Sequence, residues 1–285
     1  MFDRPTKMLV ADDSQVTLSI FRDVTQRSCS LLNFVEVTNG RDCIRLLGRG
    51  DIDLAFIDIH MPEMSGLDAL RGARHVGIKT FVTLMSGDKS RQFRPLAREL
   101  KAYEFLIKPF DVRDVESVIR TYRRAMQATS VLVIDSSATV RRIVRKVLDG
   151  SIFRMDCYEA TDGETALTHC RRTGFDVVFL DCTSPGAGGL ATLDRLLLLN
   201  GDAKIVAVTN SRKMEAEAMR RGAAAVLGKP FSSGDVDAVL HCLFGLSLPG
   251  LADLGEVAVV ARPRAVGSAR RGTRNPETRT VDRTQ

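Results

Sequence analysis

A set of chemically active residues recurs along this 285-residue chain at a spacing of 123 positions. Asp12, Asp58 and Ser86 return as Asp135, Asp181 and Thr209, and Lys108-Pro109-Phe110 returns as Lys229-Pro230-Phe231, two residues closer. Self-similarity at a long, nearly fixed period means that one structural unit is used twice, and the length suits two domains of ordinary size. One position breaks the repeat: the acidic pair Asp12-Asp13 becomes Asp135-Ser136. The chain is therefore constrained to two copies of one fold, the second lacking a carboxylate.

Each copy reads as alternating strand and helix. In the first, Met8 to Ala11 is a short apolar strand that ends in acids, and Ser14 to Arg27 has helical spacing through Val16, Ile20 and Val24. Phe34 to Val37 is the second strand, and Gly40 opens a helix through Ile44 and Leu47. Asp53 to Asp58 carries four consecutive apolar residues, the mark of a parallel strand covered on both faces. Ser65 is placed to cap the next helix. Phe81 to Ser86 is the fourth strand, a helix starts near Pro95 and runs to Leu100, and Tyr103 to Lys108 is the fifth strand. Val112 to Met126 is the last helix, with Val115, Val118, Ile119 and Tyr122 on one face. The second copy repeats the order, with strands at Val131 to Asp135, Cys157 to Ala160, Asp176 to Asp181, Lys204 to Thr209 and Ala224 to Lys229. Ser211 and Gly222 bracket one of its helices.

Five strand–helix units per copy predict two tandem, doubly wound (βα)5 domains of flavodoxin-like type, each with a parallel five-stranded sheet. The expected boundaries are 6–126 and 130–246, and the short junction of Gln127 to Ser130 makes a semi-rigid tandem. Residues 262–285, rich in Arg, Pro, Gly and Thr, are expected to form a disordered basic tail. The stretch from Leu248 to Ala261 is left open between packing on the second copy and joining that tail. Ligands of such sheets lie beyond the carboxyl ends of the strands, where every repeated polar residue falls.

Three carboxylates at one sheet edge repel each other, and a divalent cation with a lysine offsets them. A hard cation of the magnesium type takes oxygen ligands and few protein carboxylates. Asp12, Asp13 and Asp58 suit that ion, Lys108 adds a fixed positive charge, and Ser86 a hydroxyl. Together they make a receptor for a phosphoryl group.

In these residues each copy resembles the receiver domain of two-component response regulators: the acidic pair Asp12-Asp13, Asp58 ending the third strand, Met61-Pro62 with Gly66 following, Ser86, and Lys108-Pro109. The resemblance covers residues 6–125 and 129–245. It implies that Asp58 is the phosphoacceptor, that Asp13 and Asp58 bind Mg2+ directly, with Asp12 through water and His60 through its backbone carbonyl, and that Ser86, Phe105 and Lys108 stabilise the phosphoryl group and relay the switch. The Lys108–Pro109 bond is implied to be cis. The second copy departs from the pattern. Asp135, Asp181, Pro185, Gly189, Thr209 and Lys229-Pro230 match, but Ser136 replaces the second acid and Val226 the switch aromatic. That implies a degenerate receiver with weakened divalent binding.

The resemblance further implies a non-enzymatic response regulator without a DNA-binding output domain. It would accept phosphate from a histidine kinase or a histidine phosphotransfer protein, then signal through a downstream protein or a homodimer. A phosphate sink or relay is the alternative within the same chemistry. An aspartate-nucleophile phosphohydrolase needs a DxD arrangement on the first strand, which Asp12-Asp13-Ser14 does not provide. A flavin-binding relative needs a glycine- or hydroxyl-rich phosphate loop there instead of acids. From Leu246 onward seven arginines face four acids, half of the chain's +6 charge, but without interleaved aromatics nucleic-acid binding is not expected. None of the six cysteines forms a CxxC pair, which argues against a zinc ribbon or a redox motif. No apolar run reaches the roughly 18 residues that span a bilayer. No membrane partner and a cytoplasmic location are expected.

Overall fold

The computed structural model describes residues 4–27, 32–87, 93–183, 189–199 and 202–251. The first domain runs β1 (Thr6–Ala11), α1 (Gln15–Arg27), β2 (Leu32–Val37), α2 (Gly40–Leu47), β3 (Leu54–Asp58), α3 (Gly66–His75), β4 (Phe81–Ser86), α4 (Phe93–Glu99), β5 (Glu104–Ile107) and α5 (Val112–Met126). The second runs β6 (Thr129–Ile134), α6 (Ala138–Asp149), β7 (Met155–Ala160), α7 (Gly163–Arg172), β8 (Val177–Asp181), α8 (Gly189–Leu199), β9 (Lys204–Thr209), α9 (Arg212–Arg221), β10 (Ala225–Gly228) and α10 (Ser233–Phe244). The sheets are parallel, in the orders β2-β1-β3-β4-β5 and β7-β6-β8-β9-β10. This is the doubly wound tandem expected from the repeat.

The continuous apolar runs are explained by what covers each face. Side chains alternate across a strand, and in the first domain Leu9, Ala11, Ala55, Ile57 and Leu84 enter one core while Met8, Val10, Leu54, Phe56 and Met85 enter the other. The second domain divides the same way, with Leu132, Ile134, Val178 and Leu180 on one side and Val131, Val133, Val177 and Phe179 on the other. The inner strands β1, β3, β6 and β8 therefore need apolar residues at both parities, whereas the edge strands β2 and β7 turn Asn33, Glu36, Asp156 and Tyr158 to solvent.

Helix starts follow side-chain chemistry. Asn39, Ser65, Asp111, Ser137, Asp162, Ser211 and Ser232 each accept a hydrogen bond from a first-turn amide. Gly222 ends α9 with φ at 116°, a conformation that favours glycine. Pro95 sits within the first turn of α4, where its missing amide is tolerated.

Three sequence expectations shift. The apolar spacing of α1 mislocates its inner face: Val16 is 74% exposed, and Thr17, Leu18, Phe21 and Val24 are buried. The junction is shorter than expected, because β6 begins at Thr129 and leaves Gln127 and Ala128 between the last helix of one domain and the first strand of the next. The described part of the stretch after Leu248 packs on the first domain instead of the second: Leu251 is buried in the first core beside Ala97, Leu100, Ala102 and Phe105. The expected tail of 262–285, Cys29 and Pro185 lie outside the described residues.

Candidate functional site

Topology brings the repeated residues of the first domain together. β1 ends at Ala11 and β3 at Asp58, and the two strands are neighbours, so Asp12, Asp13 and Asp58 meet at one sheet edge. A carboxylate oxygen from each lies within 4.8 Å of the others. Asp12 is fully buried, Asp58 is 5% exposed and Asp13 faces solvent. The Ser14 amide donates to Asp12 Oδ1 at 2.9 Å and fixes the turn after β1. The turn after β3 is set by Gly66: a Cβ there would lie 1.9 Å from the Asp58 carbonyl oxygen, so only glycine lets α3 start this close to β3.

Lys108 closes the cluster from the end of β5. Its backbone amide donates to the Ser86 carbonyl at 2.8 Å, which ties the β5 loop to the end of β4. Its Nζ lies 2.6 Å from Asp12 Oδ2 and 2.7 Å from Asp58 Oδ2. Burial alone would pull this ammonium's pKa down, but the two carboxylates outweigh it and hold the group above its ordinary value. The Asp12 carboxyl is pushed up by burial, against the opposing pull of Lys108.

The donor set fits a divalent cation. Asp12 Oδ2 is buried and close to Lys108 Nζ, yet accepts no hydrogen bond of normal geometry. It sits beside two more carboxylates, one of them open to solvent, the mix of protein oxygen and water access that Mg2+ prefers. Asp12, Asp13 and Asp58 would hold the ion, which would supply charge neutralisation to phosphoryl oxygens.

Ser86 is fully buried at the end of β4, and Phe105 on β5 is 5% exposed in the same core as α4 residue Ala97. The His60 amide lies 3.4 Å from Asp58 Oδ1, and its ring meets Phe93 edge-on with centroids 5.7 Å apart. The Lys108–Pro109 and Lys229–Pro230 bonds are both cis.

The second domain assembles the same frame more loosely. Asp135 and Asp181 are buried, and the Ser137 amide donates to Asp135 Oδ1 at 2.9 Å as Ser14 does in the first. Lys229 Nζ lies 3.3 Å from Asp135 and 3.2 Å from Asp181. Gly189 again allows close approach, since a Cβ would lie 2.7 Å from the Asp181 carbonyl oxygen. Thr209 is buried, Val226 occupies the second core and Ser136 is exposed. Among the described residues the only acidic, cysteine or histidine cluster suited to a metal is the first domain's.

One contact was not read from the sequence. Thr183 donates both its amide, at 3.0 Å, and its hydroxyl, at 2.6 Å, to Asp181 Oδ1. It lies 123 positions after His60, so the repeat spacing could have found it. The amide donor has its counterpart in His60 on Asp58 Oδ1, at a longer 3.4 Å, so the hydroxyl is the donor that sets Asp181 apart. Cys182, next to that acid, is buried and its thiol is pushed up to about 11 by burial and by the Asp181 charge, which makes it a poor nucleophile.

Comparison with known proteins agrees with this geometry. The family model for the response regulator receiver domain matches twice, at residues 8–120 and 131–241. The response regulator UvrY of Escherichia coli K12 is 30% identical over 117 residues, covering 40% of this chain and 54% of the relative. A protein-glutamate methylesterase/protein-glutamine glutaminase of Paramagnetospirillum magneticum is 30% identical over 156 residues, 53% of this chain and 38% of the relative. The chain thus spans about half the length, or less, of these curated relatives. A solved two-component system response regulator/GGDEF domain protein superposes with a TM-score of 0.62 at 18% identity, over 84% of this chain and 98% of that one. That likeness is one of fold. Among the described residues no helix is long and apolar enough to cross a membrane.

Proposed function

We propose, for a chain that belongs to the response regulator receiver domain family in both of its domains, that Asp58 accepts a phosphoryl group from phosphohistidine and that the signal leaves through protein contacts. The observation that carries this reading is the first site as a whole: three carboxylates within 4.8 Å, one of them with Lys108 Nζ at 2.7 Å. In the reaction the Asp58 carboxylate attacks phosphorus, the P–N bond of the donor breaks, and the imidazole leaves. Phosphoryl transfer of this kind depends on positioning and charge neutralisation. Lys108 balances charge on the transferring group, and the Ser86 hydroxyl at the end of β4 is placed to follow the new phosphoryl oxygens. Asp12, Asp13, Asp58 and the His60 carbonyl would hold Mg2+, which would supply the rest of the neutralisation. The donor is a histidine kinase or a histidine phosphotransfer protein.

In the second domain the missing carboxylate at Ser136 and the doubly engaged Asp181 support a receiver that accepts phosphate poorly. Its contribution is then to binding. The reading is tested by incubating the chain with Mg2+ and a small acyl-phosphate donor and measuring intact mass. One phosphoryl group is expected, labile to hydroxylamine and lost in Asp58→Asn. A label that Asp58→Asn retains overturns the assignment.

A further inference from the structure

The second domain and residues 245–251 after α10 lie across the face of the first domain built from α4, β5 and α5, and one of the contacts reaches the backbone of Phe105 through Glu104. His241 of α10 stacks on Tyr103 with ring planes 10° apart, and its Nε2 is 3.0 Å from the Tyr103 hydroxyl. Phe244 lies under the Arg124 guanidinium of α5 at 3.5 Å. The chain then turns at Gly245, passes Ser247 at 3.4 Å from Ser117 of α5, and reaches α4. There Arg94 donates to the Gly250 carbonyl at 2.6 Å, Arg98 donates to the Leu251 carbonyl at 3.0 Å, and Leu251 is 5% exposed in the first domain's core.

The key atom is Glu104 Oε1. It accepts from the Phe105 amide at 2.7 Å and from the Gly250 amide at 2.7 Å. A single carboxylate oxygen therefore joins the backbone of Phe105 to the crossing segment. A Cβ added at Gly250 would lie 3.1 Å from the same oxygen and 4.0 Å from the Phe105 carbonyl, so the segment is seated tightly. Leu251 shares its core with Phe105, Ala97 and Leu100. Three hydrogen bonds to the strap's backbone and one buried leucine hold it to α4 and β5, the elements that flank Phe105.

We propose that residues 246–251 are a strap that closes the α4–β5–α5 face of the first receiver, and that phosphorylation of Asp58 releases it. This inference rests on the reading of Asp58 given above. The face is then covered by the chain itself before phosphorylation and uncovered after it. Any movement of Phe105 or of α4 toward the phosphorylated site pulls Glu104, Arg94 or Arg98 away from the strap carbonyls and amide, and withdraws the apolar wall behind Leu251. Coupling of this kind is reciprocal: if phosphate opens the strap, opening the strap favours phosphate.

The test uses the full chain with Mg2+ and an acyl-phosphate donor. Intact mass reports Asp58 occupancy, and hydrogen exchange reports the peptide that contains Gly250 and Leu251. Once Asp58 is labelled, exchange at that peptide is expected to quicken about fivefold or more, the lower end of coupling between two sites, and to stay unchanged in Asp58→Asn treated alike. Glu104→Gln and Leu251→Ala, which loosen the strap from opposite sides, are expected to quicken exchange without a donor and to raise the labelling rate of Asp58 by a similar factor. Labelling of Asp58 with unchanged exchange overturns the strap and leaves the phosphoacceptor standing. No labelling of Asp58 overturns both. Loosened variants that exchange faster but label at the wild-type rate also overturn the release.

Discussion

At the scale of single residues, the two sites differ by one carboxylate and by how their acceptor oxygens are engaged. Asp13 supplies the only solvent-facing oxygen of the first cluster, whereas exposed Ser136 supplies a hydroxyl at the matching place. A hydroxyl cannot replace a charge for a hard divalent ion. The wild-type chain is therefore expected to bind one Mg2+ in a calorimetric titration, and Asp13→Asn none with comparable affinity. Ser136→Asp is expected to create a second site, since Asp135 and Asp181 are already buried beside it and Lys229 stands 3.2–3.3 Å off from both. A stoichiometry that stays at one in Ser136→Asp would show that the Thr183 donors on Asp181, and not the lost carboxylate, close the second site. All the carboxylates and the lysines were legible in the sequence, because duplication repeated them at fixed spacing. The Thr183 hydroxyl contact was not, because threonine and histidine share no side-chain chemistry and His60 meets Asp58 through its backbone amide.

At the scale of elements, β3 and β8 were the easiest to read, since a strand covered on both faces leaves only apolar residues in a row. The inner face of α1 was harder: Val16, Ile20 and Val24 recur at four-residue intervals, but the buried face runs through Thr17, Leu18, Phe21 and Val24, with Phe21 against Phe56 of the sheet at 4.8 Å between centroids. α10 was harder still. It is apolar nearly all round because it packs on its own sheet and on the neighbouring domain, and sequence periodicity cannot say which face meets which. This helix carries the buried His241 and, one turn before it, the partly buried Asp237. His241 donates from Nδ1 to the Asp237 carbonyl at 2.6 Å, and its Nε2 faces the Tyr103 hydroxyl. Burial holds the imidazole below its ordinary value. Its stabilising contribution is therefore complete above the ordinary histidine range and is lost as pH falls through it. Asp237 has the opposite sign: burial pushes its carboxyl up to about 6, against the donors Ser151 and Ile152. Its contribution is complete at acid pH and is lost as pH rises through about 6. Asp237→Asn keeps an acceptor for Ser151 and removes the charge. Its melting temperature relative to wild type is expected to rise between pH 5 and pH 8. Parallel melting curves across that range would show that the carboxylate reaches solvent when it ionises.

At the scale of the whole molecule, the question is whether two receivers joined by two residues behave as one unit. Domains within a chain move relative to each other unless their interface is extensive and apolar. Here the last turn of α5 bonds directly into the second domain, with the Arg154 amide 2.7 Å from the Ala125 carbonyl and Arg124 3.0 Å from the Thr129 hydroxyl. The aromatic contacts of α10 and the strap add a second attachment at the far end of the second domain's sequence. The chain thus leaves the first receiver at α5 and returns to it at Leu251, so the second receiver is held at both ends. A residue that follows the second domain in sequence completes the core of the first, an arrangement that no local pattern in Leu248-Pro249-Gly250-Leu251 announces. Truncating a buried leucine to alanine costs roughly 2–5 kcal/mol, and a leucine at the margin of a core falls near the lower end. Leu251→Ala is accordingly expected to destabilise the first receiver by about 2 kcal/mol and to separate its unfolding from that of the second. In urea, the single transition expected of the wild type divides in two, followed by circular dichroism and by exchange of peptides from each sheet. Leu198→Ala, at a side chain that is 89% exposed on α8, should stay within about 0.5 kcal/mol of wild type. If Leu251→Ala unfolds in one transition at the wild-type midpoint, the strap contributes neither stability nor coupling, and the two receivers are joined through α5 and α10 alone.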